Sequence, residues 1–309
     1  MKSIIFPGQG SQYVGMCKNW YENFEEAKKV FNEADEILSE PLSNIIFNGP
    51  EEDLLKTNNA QPAILVSSIA MLEVIKSKKK IDLSNFCKYV AGHSLGEYTA
   101  LYASKVLDFE SVVKLVKHRG DLMSKSDKTG KGKMAAIIGL KIDEIEKILK
   151  DFKGEGVCEI ANDNSEGQVV ISGQKEAVDT FKKIAKKSGA KLTIDLKVSA
   201  PFHCKLMENA AIKIKDEINK TSFNEFKVPI ISNVKATPCN NSQEFKSLLS
   251  DQIIMSVKWR ETILFMKNEG IKKIYEIGPG NILSGLVKRI TKNIECFSIQ
   301  NPEDMDNLK

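Results

Sequence analysis

Short apolar runs bounded by glycine or proline alternate along this chain with longer stretches whose apolar residues recur at helical spacing. That is the pattern of parallel strands joined by crossover helices. Ile4-Ile5-Phe6 is the first such run, and it enters a polar turn, Pro7-Gly8-Gln9-Gly10-Ser11-Gln12. Tyr89-Val90-Ala91 is another; it ends at Gly92-His93-Ser94-Leu95-Gly96, and helical character begins at once over Glu97 to Ala103. Residues 110–124 read as a helix, and Val228 to Ser232 and Lys273 to Ile277 as strands, the latter closing on Gly278-Pro279-Gly280. In the middle of the chain the rhythm changes. Lys133 to Leu140, Val157 to Asn162, Gln168 to Ser172 and Lys191 to Val198 read as strands, with helices at Asp143 to Leu149 and Glu176 to Lys187. Strand, helix, strand, strand, helix, strand is the ferredoxin-like order. The polar stretch 126–133 and the region around Val198 mark its edges. The expected fold is therefore α/β: a large domain of residues 1–127 and 199–309, interrupted by a small ferredoxin-like domain over 128–198.

A length of 309 residues accommodates that division. The formal net charge of +4 is too small to argue for a nucleic-acid partner. The six cysteines form no C-x-x-C pair and no histidine stands at metal-ligand spacing, so neither a metal site nor a disulfide framework is expected. Reduced thiols point to a reducing compartment. The chain runs from Met1-Lys2 directly into a strand-like segment with no signal-peptide pattern, and no stretch reaches 18 consecutive apolar residues. A cytoplasmic protein without a membrane span is the expectation.

Candidate chemistry centres on Ser94. Gly-x-Ser-x-Gly between a strand and a helix is the nucleophile-elbow signature, in which glycines permit a strained turn and the helix N-terminus offers free N–H groups for an oxyanion. The same serine could instead serve only as a helix N-cap. A serine nucleophile needs a base, and the chain has three histidines: His93, His118 and His203. His93 adjoins the nucleophile, with its side chain directed away. His118 lies on the helix 110–124, and His203 follows a strand end in Ser199-Ala200-Pro201-Phe202-His203, where α/β enzymes place active groups. His203 is favoured. On the helix 110–124, Val112, Leu115, Val116, Leu122 and Met123 form one apolar stripe with Arg119 in its middle. An inward guanidinium stays charged and requires an anion. Two readings stand side by side: a structural pair with a protein carboxylate, or a clamp for a substrate carboxylate.

Taken together, Phe6 to Gln12, Gln61-Pro62-Ala63, Gly92 to Glu97, His118-Arg119-Gly120 with Met123, Pro201-Phe202-His203 with Leu206-Met207, and Glu276 to Gly280 resemble the malonyl-CoA:acyl-carrier-protein transacylase family, in family order across almost the whole chain. The resemblance implies an α/β-hydrolase-like large domain with a ferredoxin-like insertion. It implies that Ser94 is acylated, that His203 is the base, that the backbone N–H groups of Gln9 and Leu95 form the oxyanion hole, and that Arg119 holds the malonyl carboxylate. It further implies that the main-chain carbonyl of Gln252 orients the histidine, making a dyad, although Ser256 stands where the family usually has proline. Phe202 beside the base matches members that accept unbranched malonyl groups. The implied substrates are malonyl-CoA and the phosphopantetheine thiol of acyl carrier protein, with no cofactor and a monomeric chain supplying fatty-acid elongation. Lys186, Lys187, Lys191, Lys288, Arg289 and Lys292 are candidates for meeting an acidic carrier.

The elbow alone also fits a serine thioesterase or esterase. Chain order argues against that, because the histidine of such an enzyme normally follows an acidic residue late in the fold. A non-catalytic acyl-CoA or carrier-protein binding module is the remaining alternative, and joint retention of Ser94, His203 and Arg119 speaks against it.

Overall fold

The computed structural model describes residues 1–127 and 130–309. Among these, ten strands form: β1 (Lys2–Phe6), β2 (Tyr89–Gly92), β3 (Gly132–Ile138), β4 (Cys158–Ser165), β5 (Gln168–Gln174), β6 (Leu192–Asp195), β7 (Ile230–Ile231), β8 (Pro238–Cys239), β9 (Lys273–Ile277) and β10 (Glu295–Ile299). Six of them make one sheet in the order β10-β9-β1-β2-β7-β8. It is parallel except for β8, which runs antiparallel to β7. The contiguous apolar character of β1 follows from burial on both faces. Ile4 and Phe6 enter a core with the helices Thr57–Lys79, Gly96–Ala103 and Phe109–Ser124, whereas Ile5 enters a second core with Trp259–Asn268 and Ile282–Ile290.

The other four strands form an antiparallel sheet in the order β4-β5-β3-β6. Helices Ile142–Lys150 and Lys175–Lys187 cover it, burying Ile145, Val178 and Phe181 against Ile137, Val169 and Ile171. Two connections tie this sheet to the larger unit. Asn162 pairs with Val257 in an isolated parallel bridge, and Arg260 Nε donates to both oxygens of Asp163, at 3.1 and 2.9 Å. The expected boundary at residue 128 lies outside the described residues.

Two strand expectations change. The strand expected over Lys191 to Val198 ends at Asp195, because Leu196, Lys197 and Val198 leave the sheet to line a cavity. The one expected over Val228 to Ser232 contracts to Ile230–Ile231, because Ser232 N–H turns back onto Thr237 O. The helix Thr57–Lys79 is long and apolar enough, by length and composition, to cross a membrane. Its apolar residues do not form one uninterrupted run, because Gln61, Ser67 and Ser68 break it. An 18-residue window of this helix is 83% buried inside the protein, against the helices around it, which is the environment of a core helix.

Candidate active site

The carboxyl ends of the adjacent strands β1 and β2 carry the two glycine-bearing turns, so these loops meet above the sheet. Ser94 has φ +50, in the left-handed region that costs a non-glycine residue about 1–3 kcal/mol. Three contacts hold the turn: Ser94 N–H donates to Asn233 Oδ1 at 2.7 Å, Asn233 Nδ2 to Gly92 O at 2.7 Å, and His93 N–H to Phe6 O at 3.1 Å. The flanking glycines are steric requirements. A Cβ at Gly92 would collide with the backbone of Gly96 and Glu97, and one at Gly96 with the carbonyl oxygens of Phe6 and Pro7.

Ser94 Oγ lies 2.8 Å from His203 Nε2, and His203 Nδ1 lies 2.7 Å from the backbone carbonyl of Gln252. A carbonyl oxygen only accepts, so Nδ1 carries the ring proton and the Nε2 lone pair faces the serine hydroxyl. Burial, reinforced by the Arg119 charge, pushes the imidazole down to about 3. The Gln252 contact forms with Ser256 in place of the usual proline. The other histidines stay out of this pair: His118 is exposed on its helix, and the His93 ring bonds Asn164 Oδ1 at 2.8 Å.

Arg119 is fully buried. Its Nη1 donates to Gln61 Oε1 at 2.7 Å, and its Nη2 to Gln252 Oε1 at 2.9 Å and to Ser94 Oγ at 3.1 Å. Its guanidinium carbon stands 5.3 Å from the centre of the Tyr98 ring. Burial pulls its pKa below the ordinary value, against Tyr98 and Glu97. Among the described residues no carboxylate comes within ion-pair distance of it. The structural-pair reading of Arg119 therefore has no direct partner; the buried Glu97 carboxyl reaches it only through the Gln252 amide.

A cavity of about 280 Å³ opens over these groups, lined by Gln9, Ser94, Leu95, Arg119, Phe202 and His203 among others. The backbone N–H groups of Gln9 and Leu95 donate to no acceptor among the described residues. Phe202, 6% exposed, forms part of the wall beside His203. Met134 and Asn162 reach the same cavity from β3 and β4, so both sheets contribute to it. A wider hollow of about 720 Å³, beside the helices Phe109–Ser124 and Glu208–Lys220, holds none of these groups.

Residues 4–299 match the acyl transferase domain family. A curated malonyl CoA-acyl carrier protein transacylase of Bacillus subtilis is 40% identical over 305 residues, covering 98% of this chain and 95% of that protein. The chain belongs to this transacylase family. Among solved structures, the acyl-carrier-protein-S-malonyltransferase of Bartonella henselae superposes with a TM-score of 0.96 at 41% identity, covering 99% of this chain and 97% of that one. A malonyl-transacylase solved in complex with a type II PKS acyl-carrier protein gives a TM-score of 0.95 at 36% identity, covering 99% and 98%.

Within the transacylase site, three groups carry contacts that the motifs did not assign: Gln61, Glu97 and Asn233. Gln61 takes one Arg119 nitrogen. Glu97 and Asn233 join the elbow to the Gln252 loop. Burial pushes the Glu97 carboxyl up to about 8, opposed by the Asn233 N–H, the Gln252 amide and Arg119. Both of its oxygens accept N–H bonds, the pattern of a carboxylate. A signal existed for Glu97, a charged residue opening the otherwise apolar helix Gly96–Ala103. Nothing local marks Asn233.

Proposed function

We propose that this chain transfers the malonyl group from malonyl-CoA to the phosphopantetheine thiol of acyl carrier protein through a malonyl ester on Ser94. The observation that carries the reading is Arg119, a buried guanidinium in no direct ion pair with a carboxylate among the described residues, 3.1 Å from Ser94 Oγ on the wall of a cavity. A substrate carrying a free carboxylate next to its thioester supplies the missing anion.

In the first half-reaction the Ser94 hydroxyl attacks the thioester carbonyl while its proton passes to His203 Nε2. Imidazolium formation is supported by the Gln252 carbonyl on Nδ1. The oxyanion takes the free N–H groups of Gln9 and Leu95. The C–S bond then breaks, and the coenzyme A sulfur leaves with the proton from His203. In the second half-reaction the carrier thiol gives its proton to His203 and attacks the ester, and Ser94 leaves with that proton. Burial is the first cause of the low His203 basicity and the Arg119 charge the second, and a malonyl carboxylate on Arg119 offsets that second cause. Phe202 crowds a branch at the acyl α-carbon and favours unbranched malonyl.

The same reading takes residues 1–127 and 199–309 as an α/β-hydrolase-like catalytic domain and 128–198 as a ferredoxin-like domain, in keeping with the β4-β5-β3-β6 strand order. It takes the enzyme as a cytoplasmic, cofactor-free monomer serving fatty-acid elongation, with carrier protein meeting the exposed Lys186, Lys187, Lys191, Lys288, Arg289 and Lys292. Ser94→Ala tests the intermediate: incubation with radiolabelled malonyl-CoA labels the wild type covalently and leaves S94A unlabelled. Persistent covalent label in S94A overturns the assignment.

A further inference from the structure

We propose that Glu97 is a positioning residue for acyl-group selection: its carboxylate fixes which way the Gln252 side-chain amide faces, and so presents an oxygen, not an N–H, to Arg119. The proposal rests on the reading that Arg119 holds the substrate carboxylate.

The argument is one of hydrogen-bond polarity in a place where water does not substitute. Glu97, Arg119 and Gln252 are all fully buried. Glu97 Oε1 accepts from Asn233 N–H at 2.8 Å, and Oε2 accepts from Gln252 Nε2 at 2.5 Å. Gln252 Nε2 also donates to Ser94 O at 2.9 Å. Both amide hydrogens are thereby committed to acceptors on the elbow, which leaves Oε1 for Arg119 Nη2 at 2.9 Å. A carboxylate and a carbonyl can only accept, and a guanidinium can only donate. Reversing the Gln252 amide would set oxygen against oxygen on one side and N–H against N–H on the other. The chain from Asn233 N–H through Glu97 and Gln252 to Arg119 therefore has a single consistent direction. Its last bond holds the Arg119 tip against Ser94 Oγ, where the acyl group arrives.

An amide at position 97 breaks this direction without changing shape. Asn233 N–H still demands an oxygen, so the new NH₂ must face Gln252 Nε2. Either those donors oppose each other, or Gln252 turns over and opposes Arg119. No flip removes the conflict. Arg119 then loses its fixed orientation, and a substrate with a second carboxylate suffers more than one without it.

The test measures kcat and KM for malonyl-CoA and acetyl-CoA with the full chain and a holo carrier protein, in wild type, E97Q, R119A and E97Q/R119A. The expected result is that E97Q raises KM for malonyl-CoA and lowers the malonyl-to-acetyl ratio of kcat/KM about tenfold. In the R119A background E97Q should lower the ratio no further, because the effect passes through Arg119. If E97Q loses both acyl groups alike, leaves the ratio unchanged, or shifts it equally without Arg119, the inference fails. Equal loss of both acyl groups in R119A instead overturns the reading on which it rests. Should E97Q not fold by thermal unfolding, Glu97→Asp carries the same test. It keeps an acceptor but withdraws it by one methylene, and the same selective loss is expected.

Discussion

At Arg119 the helix Phe109–Ser124 places a guanidinium among Val112, Leu115, Val116 and Met123, all buried. Two amide oxygens and the Ser94 hydroxyl are what it touches. Neutral acceptors compensate a buried charge only in part. Removing it in R119A should cost malonyl transfer about 3 kcal/mol in transition-state stabilisation, roughly a hundredfold in kcat/KM, with acetyl transfer much less affected. The same variant tests His203. Arg119 is the second cause, after burial, holding the imidazole near pKa 3. Taking away a positive neighbour favours the imidazolium, so the acid limb of kcat/KM for acetyl-CoA should move to higher pH in R119A; an unmoved limb would show that the two groups do not communicate. Ser94, His203 and Arg119 could be read from the sequence because each breaks a local rule: a serine between glycines at a strand end, a histidine after a strand-like run, a charge in an apolar stripe. Asn233 and Gln61 break none. Their roles exist only through partners 139 and 58 positions away, respectively.

At the scale of elements, the β2-to-helix turn depends on backbone contact that no side chain tolerates. Gly92→Ala should lower the midpoint of thermal unfolding by at least the shift that about 1–3 kcal/mol of overpacking produces. A stable, active G92A would contradict the close-approach account. The junction between the two sheets has its own test. Asp163 is pushed up to about 6 by burial, with Arg260 opposing. Arg260→Ala leaves that carboxylate uncompensated and should destabilise the protein by about 3 kcal/mol in urea at neutral pH. Because the folded pKa then lies still further above the unfolded value of about 3.9, the deficit should be smallest at acid pH and grow as pH rises. Central strands were legible because β1, β2 and β9 are short, mostly buried and end at glycine or proline. β8 was not, since two residues of pairing leave no periodicity to read. The end of β6 was not either, because Leu196 and Val198 keep an apolar pattern after leaving the sheet for the cavity wall.

Across the whole molecule, the cavity draws on both sheets, so Ser94 sits where the two meet. The alternation of strand and helix foretold the small sheet and four of the six strands of the large one, β1, β2, β7 and β9, but not β10 or β8. It could not foretell the closeness of the two sheets, which rests on single contacts such as Asn162 with Val257 and Asp163 with Arg260. Six basic side chains on the outer surface are exposed and available to an acidic carrier. If they dock it, kcat/KM for the carrier should fall as salt rises past the range where screening shortens to about 8 Å, while acylation by malonyl-CoA alone changes less. The central claim is a malonyl group that rests on Ser94 and leaves only to a thiol. Intact-mass spectrometry tests it most directly, by mixing the enzyme with malonyl-CoA and then adding holo carrier protein. The account predicts an enzyme heavier by one malonyl group, which returns to its original mass on addition of the carrier as malonyl-carrier accumulates in equal amount. An enzyme that never gains mass, or one that releases free malonate in place of malonyl-carrier, would contradict it.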